Sequence, residues 1–290
     1  MVSDRAIIQT ANSWPPVDTV YTAGLWHRDR FTIDGYLVEA KVRALAATKS
    51  ESPDLKRFLI ISRARSGTTL LTKLLDANPK VECDGEVLHR GKVFPLAYLR
   101  ALARKSPAHA YGAKLLSYQM VQVQRLLDPI AFLRAVHSSG FRLIHLRRQT
   151  FWQTLSLVRA HATGKYHSNK GARYTGPIVI DPERFVRNLE WNELLLKYES
   201  ECLRNLPHLQ VDYETGLMHQ DRHQNTVDRI FEYVGIDSAL VSTGLQKITP
   251  SDPNLIISNY PRVRQAMIDA GFAKLLPRED TIHSVQHRVI

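Results

Sequence analysis

Arg57 to Thr69, RFLIISRARSGTT, is the stretch on which the reading of this chain turns. Phe58, Leu59, Ile60 and Ile61 form an unbroken apolar run, the pattern of a strand buried on both faces of a parallel sheet. The run breaks into Arg63-Ala64-Arg65-Ser66-Gly67. From Thr68 onward a helical pattern then sets Leu70, Leu71, Leu74 and Leu75 on one face. A strand, a tight basic loop with a glycine and a helix N-terminus make an anion cradle. The unbonded amides of the first helical turn and the positive end of the helix dipole both face the loop. The expected ligand is a phosphate or a like anion. The nucleoside triphosphate motif GxxxxGK[ST] does not fit: the leading glycine is missing, Thr68 follows Gly67, and the cation Arg65 precedes the glycine.

The rest of the chain is consistent with one α/β domain. Its 290 residues are 44% hydrophobic and 23% charged, ordinary for a globular protein. No apolar run approaches the length that spans a bilayer, and MVSDRAIIQTANSWPP lacks the basic start and continuous apolar core of a secretory signal. Cys83 and Cys202 stand far apart without other cysteines, which excludes a disulfide framework and a cysteine-rich zinc site. The expected compartment is a reducing cytoplasm. A net charge of +11 suits a polyanionic partner. The basic residues are spread along the chain and not interleaved with aromatics, so a single-strand nucleic-acid platform is not expected.

Residues 1–50 read as an N-terminal extension that ends in a helix over DGYLVEAKVRALAATK, and 51–290 as the single domain. Further strands are expected at Val81 to Cys83, Ala113 to Tyr118, Phe141 to Leu146 and Leu209 to Tyr213. Asp128-Pro129 and Asp181-Pro182 each supply an N-cap and a first helical residue. Those helices run towards His137 and through Trp191 to Leu203. Two more are expected from Phe151 to His161 and from Asn225 to Gly235. Thr163 to Pro177, rich in glycine and polar residues, reads as a long loop. Strands alternating with helices imply a parallel sheet covered on both faces, a three-layer P-loop-like fold.

The strand Phe141 to Leu146 runs into Arg147-Arg148, and Ser156 follows eight residues after Arg148. Ligands of open parallel sheets bind beyond the carboxyl ends of the strands, so these arginines belong to the edge that carries Arg65. A guanidinium fork with a hydroxyl suits a second phosphate.

RSGTT resembles the phosphosulfate loop of sulfotransferases, which take a sulfuryl group from 3′-phosphoadenosine 5′-phosphosulfate (PAPS). The Arg148/Ser156 spacing is similar to their 3′-phosphate clamp. DGEVLH (Asp84 to His89), RRQTFWQTLSLVRAHATGKY (Arg147 to Tyr166), VDYETGL (Val211 to Leu217) with the helix to EYVG, and Asn259-Tyr260 follow in the family's order. The resemblance spans roughly Phe58 to Tyr260 and is nearest to the Nod-factor and trehalose carbohydrate sulfotransferases. Ala64 stands where proline is usual, and residues 1–50 lie outside it.

The resemblance implies a PAPS-dependent enzyme that releases 3′,5′-bisphosphoadenosine and requires no metal. It places Arg65, Ser66, Gly67, Thr68, Thr69, Arg148, Ser156 and Lys247 at the nucleotide, with Arg65 stabilising charge on the leaving oxygen. Glu86 matches the family's base, and partial burial can raise a carboxyl towards neutrality. His89, three residues on, is the rival base or an acceptor contact. Lys114 matches a lysine near the acceptor. The acceptor is a hydroxyl, or an amine, of a saccharide, glycolipid or small secondary metabolite. His219 and His223 have the spacing of a helical metal pair but read as surface. A kinase with a degenerate loop and a basic nucleic-acid-binding protein are the competing readings. Oligomeric state is not legible.

Overall fold

The computed structural model describes residues 9, 32–50, 52–124, 126–164, 176–245 and 250–277. The chain divides into two compact units, Met1–Arg148 with Leu194–Thr243, and Gln149–Glu193 with Gly244–Ile290.

The first unit is built on five parallel strands, β1 (Lys56–Ser62), β2 (Val81–Cys83), β3 (Ala110–Leu116), β4 (Phe141–Arg147) and β5 (His208–Asp212), in the order β2-β3-β1-β4-β5. β1 is central. Phe58 pairs with Gly112 of β3 on one side and Arg142 of β4 on the other. The sequence expectation for β3 begins three residues late, because Ala110-Tyr111-Gly112 carries no long apolar run. Gly112 belongs inside the strand for a steric reason: a Cβ there would lie 2.1 Å from the Phe58 ring.

Phe58, Ile60, Ile144, Leu146 and Val211 face one side of the sheet. They pack with Leu71, Leu74 and Leu75 of α2 (Thr68–Asp76, counting α1 as Ile33–Ala47) and with the apolar face of a later helix, His223–Val234. The alternate residues Leu59, Ile61, Leu143 and His145 are also buried. On their side lie α3 (Pro95–Lys105), α4 (Pro129–Ser138) and the second half of a long helix, Pro182–Leu203, whose Glu199 meets His145. Helices on both faces explain why the centre of β1, Phe58 to Ile61, is an unbroken apolar run. α3 has no counterpart in the sequence expectations.

The helix within residues 1–50 is α1. Thr32 caps it by accepting from Gly35 N–H at 3.0 Å. Its Glu39 is buried and accepts from the Val93 and Phe94 amides at 3.0 and 2.9 Å, just before Pro95 opens α3. The helix is therefore fastened to the segment that follows Glu86.

The second unit contains α5 (Thr150–Thr163), the first half of α6 (Pro182–Leu203) and α8 (Tyr260–Asp269), with α7 (His223–Val234) remaining in the first. Asp181 caps α6 as expected, accepting from the Glu183 and Arg184 amides. Phe151, Phe185, Leu189, Ile256, Tyr260 and Met267 form its core. Asn259 accepts from the Ile180 amide and donates to the Ile180 carbonyl. Asn259-Tyr260 is thus the start of a helix seated in this core. Of the expected Thr163 to Pro177 loop, Thr163 is the last residue of α5, and residues 165–175 lie outside the described residues. His223, read as surface from the sequence, is instead buried on α7, with Nε2 2.9 Å from the Leu217 carbonyl.

Candidate active site

The loop between β1 and α2 has an unusual backbone. Arg65 sits at φ 64° and Gly67 at φ 94°, both in the left-handed region. Among the described residues, Arg65 is the one non-glycine there, a conformation that costs a side-chain-bearing residue about 1–2 kcal/mol. Gly67 is the N-cap of α2 and has no side chain to cap it, so the first-turn amides face the loop. A Cβ on Gly67 would lie 2.5 Å from Tyr213 Cδ2. Glycine is therefore required twice over, by φ and by the approach of the Tyr213 ring.

Three arginines build the edge. Arg63 is fully buried and donates from Nη2 to the Arg148 carbonyl at 2.6 Å. Arg148 in turn donates from Nη1 to the Arg65 carbonyl at 2.8 Å, and its guanidinium lies 4.4 Å from the centre of the Tyr213 ring. Burial pushes the Arg148 guanidinium below its ordinary value, while Tyr213 and Glu214 act the other way. The Tyr213 phenol is raised, chiefly by burial, against the pull of Arg148. Arg148 thus holds the shape of the Arg65 turn. The sequence pointed to Arg148 as a ligand contact but missed Arg63 and Tyr213. Tyr213 could have been found from its place directly after β5, on the same edge as Arg65.

Ser66 shows that this loop fits an anion. Its hydroxyl is fully buried, and Oγ has no hydrogen-bond partner among the described residues. A buried hydroxyl left unpaired is costly, and a phosphate oxygen over the loop would complete it. Thr68 and Thr69 stand at the head of α2, as the sequence placed them.

On the other side of α2, Lys114 of β3 is buried and not a lysine reaching for water. Its Nζ is 3.3 Å from Thr69 Oγ1 and 3.4 Å from Glu86 Oε1. One ammonium therefore links the anion loop to the carboxylate. Glu86 Oε2 accepts from Gln119 Nε2 at 2.9 Å and from the Tyr118 hydroxyl at 3.3 Å. His89 is exposed, with Nδ1 2.5 Å from the Glu86 carbonyl. That contact requires the proton on Nδ1, so the neutral ring presents an unprotonated Nε2. Both candidate bases thus share one short segment. Tyr118, expected at the end of the strand, instead lies beyond β3, which ends at Leu116, and neither it nor Gln119 is among the sequence-predicted site residues.

Ser156 is half-buried on α5, the helix expected for it, in the second unit. Lys247 lies outside the described residues.

No protein-family model matches the chain, and no curated protein matches it. Solved structures do resemble it. A sulfotransferase from Alicyclobacillus acidocaldarius is 12% identical, the likeness covering 83% of this chain and 98% of that one at a TM-score of 0.45. A mouse sulfotransferase complexed with PAP is 14% identical, over 82% of this chain and 91% of that one, at 0.43. A sulfotransferase from Mycobacterium avium is 11% identical, over 92% and 82%, at 0.43.

Proposed function

We propose that this protein is a sulfotransferase that moves a sulfuryl group from PAPS to a hydroxyl of a saccharide, glycolipid or small secondary metabolite. The observation that carries the reading is the bridge from Thr69 through Lys114 to Glu86. It ties an anion-binding loop to a carboxylate, the two parts that an in-line transfer needs on opposite sides of the moving group.

PAPS, when bound, supplies the activated sulfuryl group, and 3′,5′-bisphosphoadenosine departs. Ser66 Oγ and the amides of Gly67, Thr68 and Thr69 hold the 5′-phosphate end. Arg65 stabilises the negative charge that grows on the bridging oxygen as the sulfur–oxygen bond breaks. Glu86 takes the proton of the acceptor hydroxyl as the new oxygen–sulfur bond forms. Lys114 orients that carboxylate and keeps positive charge between it and the loop. Arg148 keeps the Arg65 turn in shape; the family resemblance assigns a nucleotide contact to each of Arg148, Ser156 and Lys247.

Thermal unfolding with the bisphosphate, compared with ATP and Mg²⁺, tests the reading. A concentration-dependent rise in Tm with the bisphosphate is expected. A rise with ATP and Mg²⁺ alone would sink it in favour of a kinase. Transfer of label from ³⁵S-PAPS to a panel of hydroxyl and amine acceptors then identifies the product class.

A further inference from the structure

β3 is followed by a single π-helical turn, Gln119–Val123, closed by a 2.7 Å bond from the Gln124 amide to the Gln119 carbonyl. Such turns are rare and concentrate at functional sites. Here the turn has a glutamine at each end, and both side chains reach the same short segment. Gln119 accepts from the Leu116 amide through Oε1 at 3.2 Å, which fixes the orientation of its amide. Nε2 is therefore the group that faces Glu86 Oε2. Gln124 is buried, and all of its polar atoms are used. Oε1 accepts from the Lys92 amide at 3.0 Å, and Nε2 donates to the Leu88 and Arg90 carbonyls at 2.7 and 2.8 Å.

The register explains the arrangement. In an α-helix, residues five apart lie about 140° apart around the axis and cannot serve one segment. The wider π turn brings residues five apart onto one side.

We infer that Gln119 and Gln124 are positioning residues for the acceptor side: through the π turn they hold the segment Glu86–Lys92, one aiming the Glu86 carboxylate and the other fixing the backbone beyond it. This rests on the reading of Glu86 as the base. The groups that face the Glu86 carboxylate are Lys114 from β3, Tyr118 and Gln119 from the turn, while the His89 ring lies against Glu86's own carbonyl. Removing Gln119 thus leaves the Glu86 carboxylate held by Lys114 on one oxygen and by the longer Tyr118 contact alone on the other.

The experiment combines exchange and kinetics. Gln124→Leu removes three hydrogen bonds, and Gln124→Glu keeps the size and the acceptor for Lys92 while turning oxygen towards two carbonyls. Native-state hydrogen exchange at the Lys92 amide should be at least ten times faster in Gln124→Leu, with bisphosphate affinity within twofold of wild type. Acceptor KM should rise at least fivefold in both variants. Gln119→Leu should lower kcat at least tenfold and move the acidic limb of the pH–rate profile, again without change in bisphosphate affinity. If Gln124→Leu does not fold, Gln124→Glu decides through acceptor KM.

Unchanged Lys92 exchange in folded Gln124→Leu overturns the inference, as does faster exchange with an unchanged acceptor KM. A Gln119→Leu profile that only scales down without moving overturns the Gln119 half. Failure of the sulfotransferase reading looks different: wild type itself transfers no label, while the exchange result on Gln124→Leu still tells whether the clamp exists.

Discussion

Arg148 donates from Nη1 to the carbonyl of Arg65 across 2.8 Å, joining the end of β4 to the one strained non-glycine turn residue among those described. A charged donor on a carbonyl is worth about 1.5–3 kcal/mol when lost without replacement. Arg148→Ala should therefore weaken bisphosphate binding by roughly 10- to 100-fold, measured by calorimetry. Lysine should recover little, because it lacks the planar fork that lies over Tyr213 and reaches the carbonyl together. Unchanged affinity in both variants would remove Arg148 from the site.

Arg65 separates conformation from chemistry. At φ 64° glycine is comfortable and alanine is not. Arg65→Gly should be more stable than Arg65→Ala by about 1 kcal/mol in denaturant unfolding. Both should lose turnover far more than bisphosphate affinity, as expected of a group that acts on the transition state. Equal losses in binding and turnover would make Arg65 a tether only.

Gly67 admits no side chain. Gly67→Ala would set a methyl 2.5 Å from Tyr213 Cδ2 at φ 94°, so the bisphosphate-induced rise in Tm should vanish. Adding Tyr213→Leu relieves the clash but leaves the backbone strain, so the double variant should recover only part of it. Full binding by Gly67→Ala would mean that the loop does not hold the ligand.

Glu86→Gln keeps the size and removes proton acceptance, so turnover should fall on the order of 10²–10⁴-fold. Bisphosphate affinity should hardly change. His89→Asn is the necessary companion, because the His89 ring lies against the Glu86 carbonyl. A dead His89→Asn beside a near-normal Glu86→Gln would reverse the assignment of the base.

The two cysteines should be silent. Burial pushes the Cys202 thiol up to about 12, and Cys83 is raised as well, first by burial and then by Asp76 and Asp84. A folded value above the unfolded one favours the neutral thiol. That stabilisation is complete below the ordinary thiol range and is lost as pH climbs from about 9 towards 12 at Cys202. At pH 8 iodoacetamide should label neither cysteine in the native protein and both after denaturation. Rapid native labelling of Cys202 would contradict its burial.

The strands and most helices were readable because their signals are local. A buried apolar run makes β1, and Asp-Pro pairs start α4 and α6, whatever else the chain does. The loop between β1 and α2 was readable for the same reason, since strand, loop and helix are contiguous. α3 was missed, since its opening Phe94-Pro95 carries no capping side chain and the Val93 and Phe94 amides just before it are met by Glu39, far away in sequence.

By itself the sequence determined that a basic loop with Arg65 and Gly67 stands at the end of a buried parallel strand and that a helix opens from it on two threonines. Only the tertiary structure decided what surrounds them. The burial of Arg63, the stacking of Arg148 on Tyr213, the bridge through Lys114 and the glutamine clamp all join segments tens of residues apart. Spacing along the chain fixes which residues share a helix face or a strand edge. Which distant polar groups become partners depends on how the strands order themselves, and buried polar groups then select whatever partner that order brings within reach.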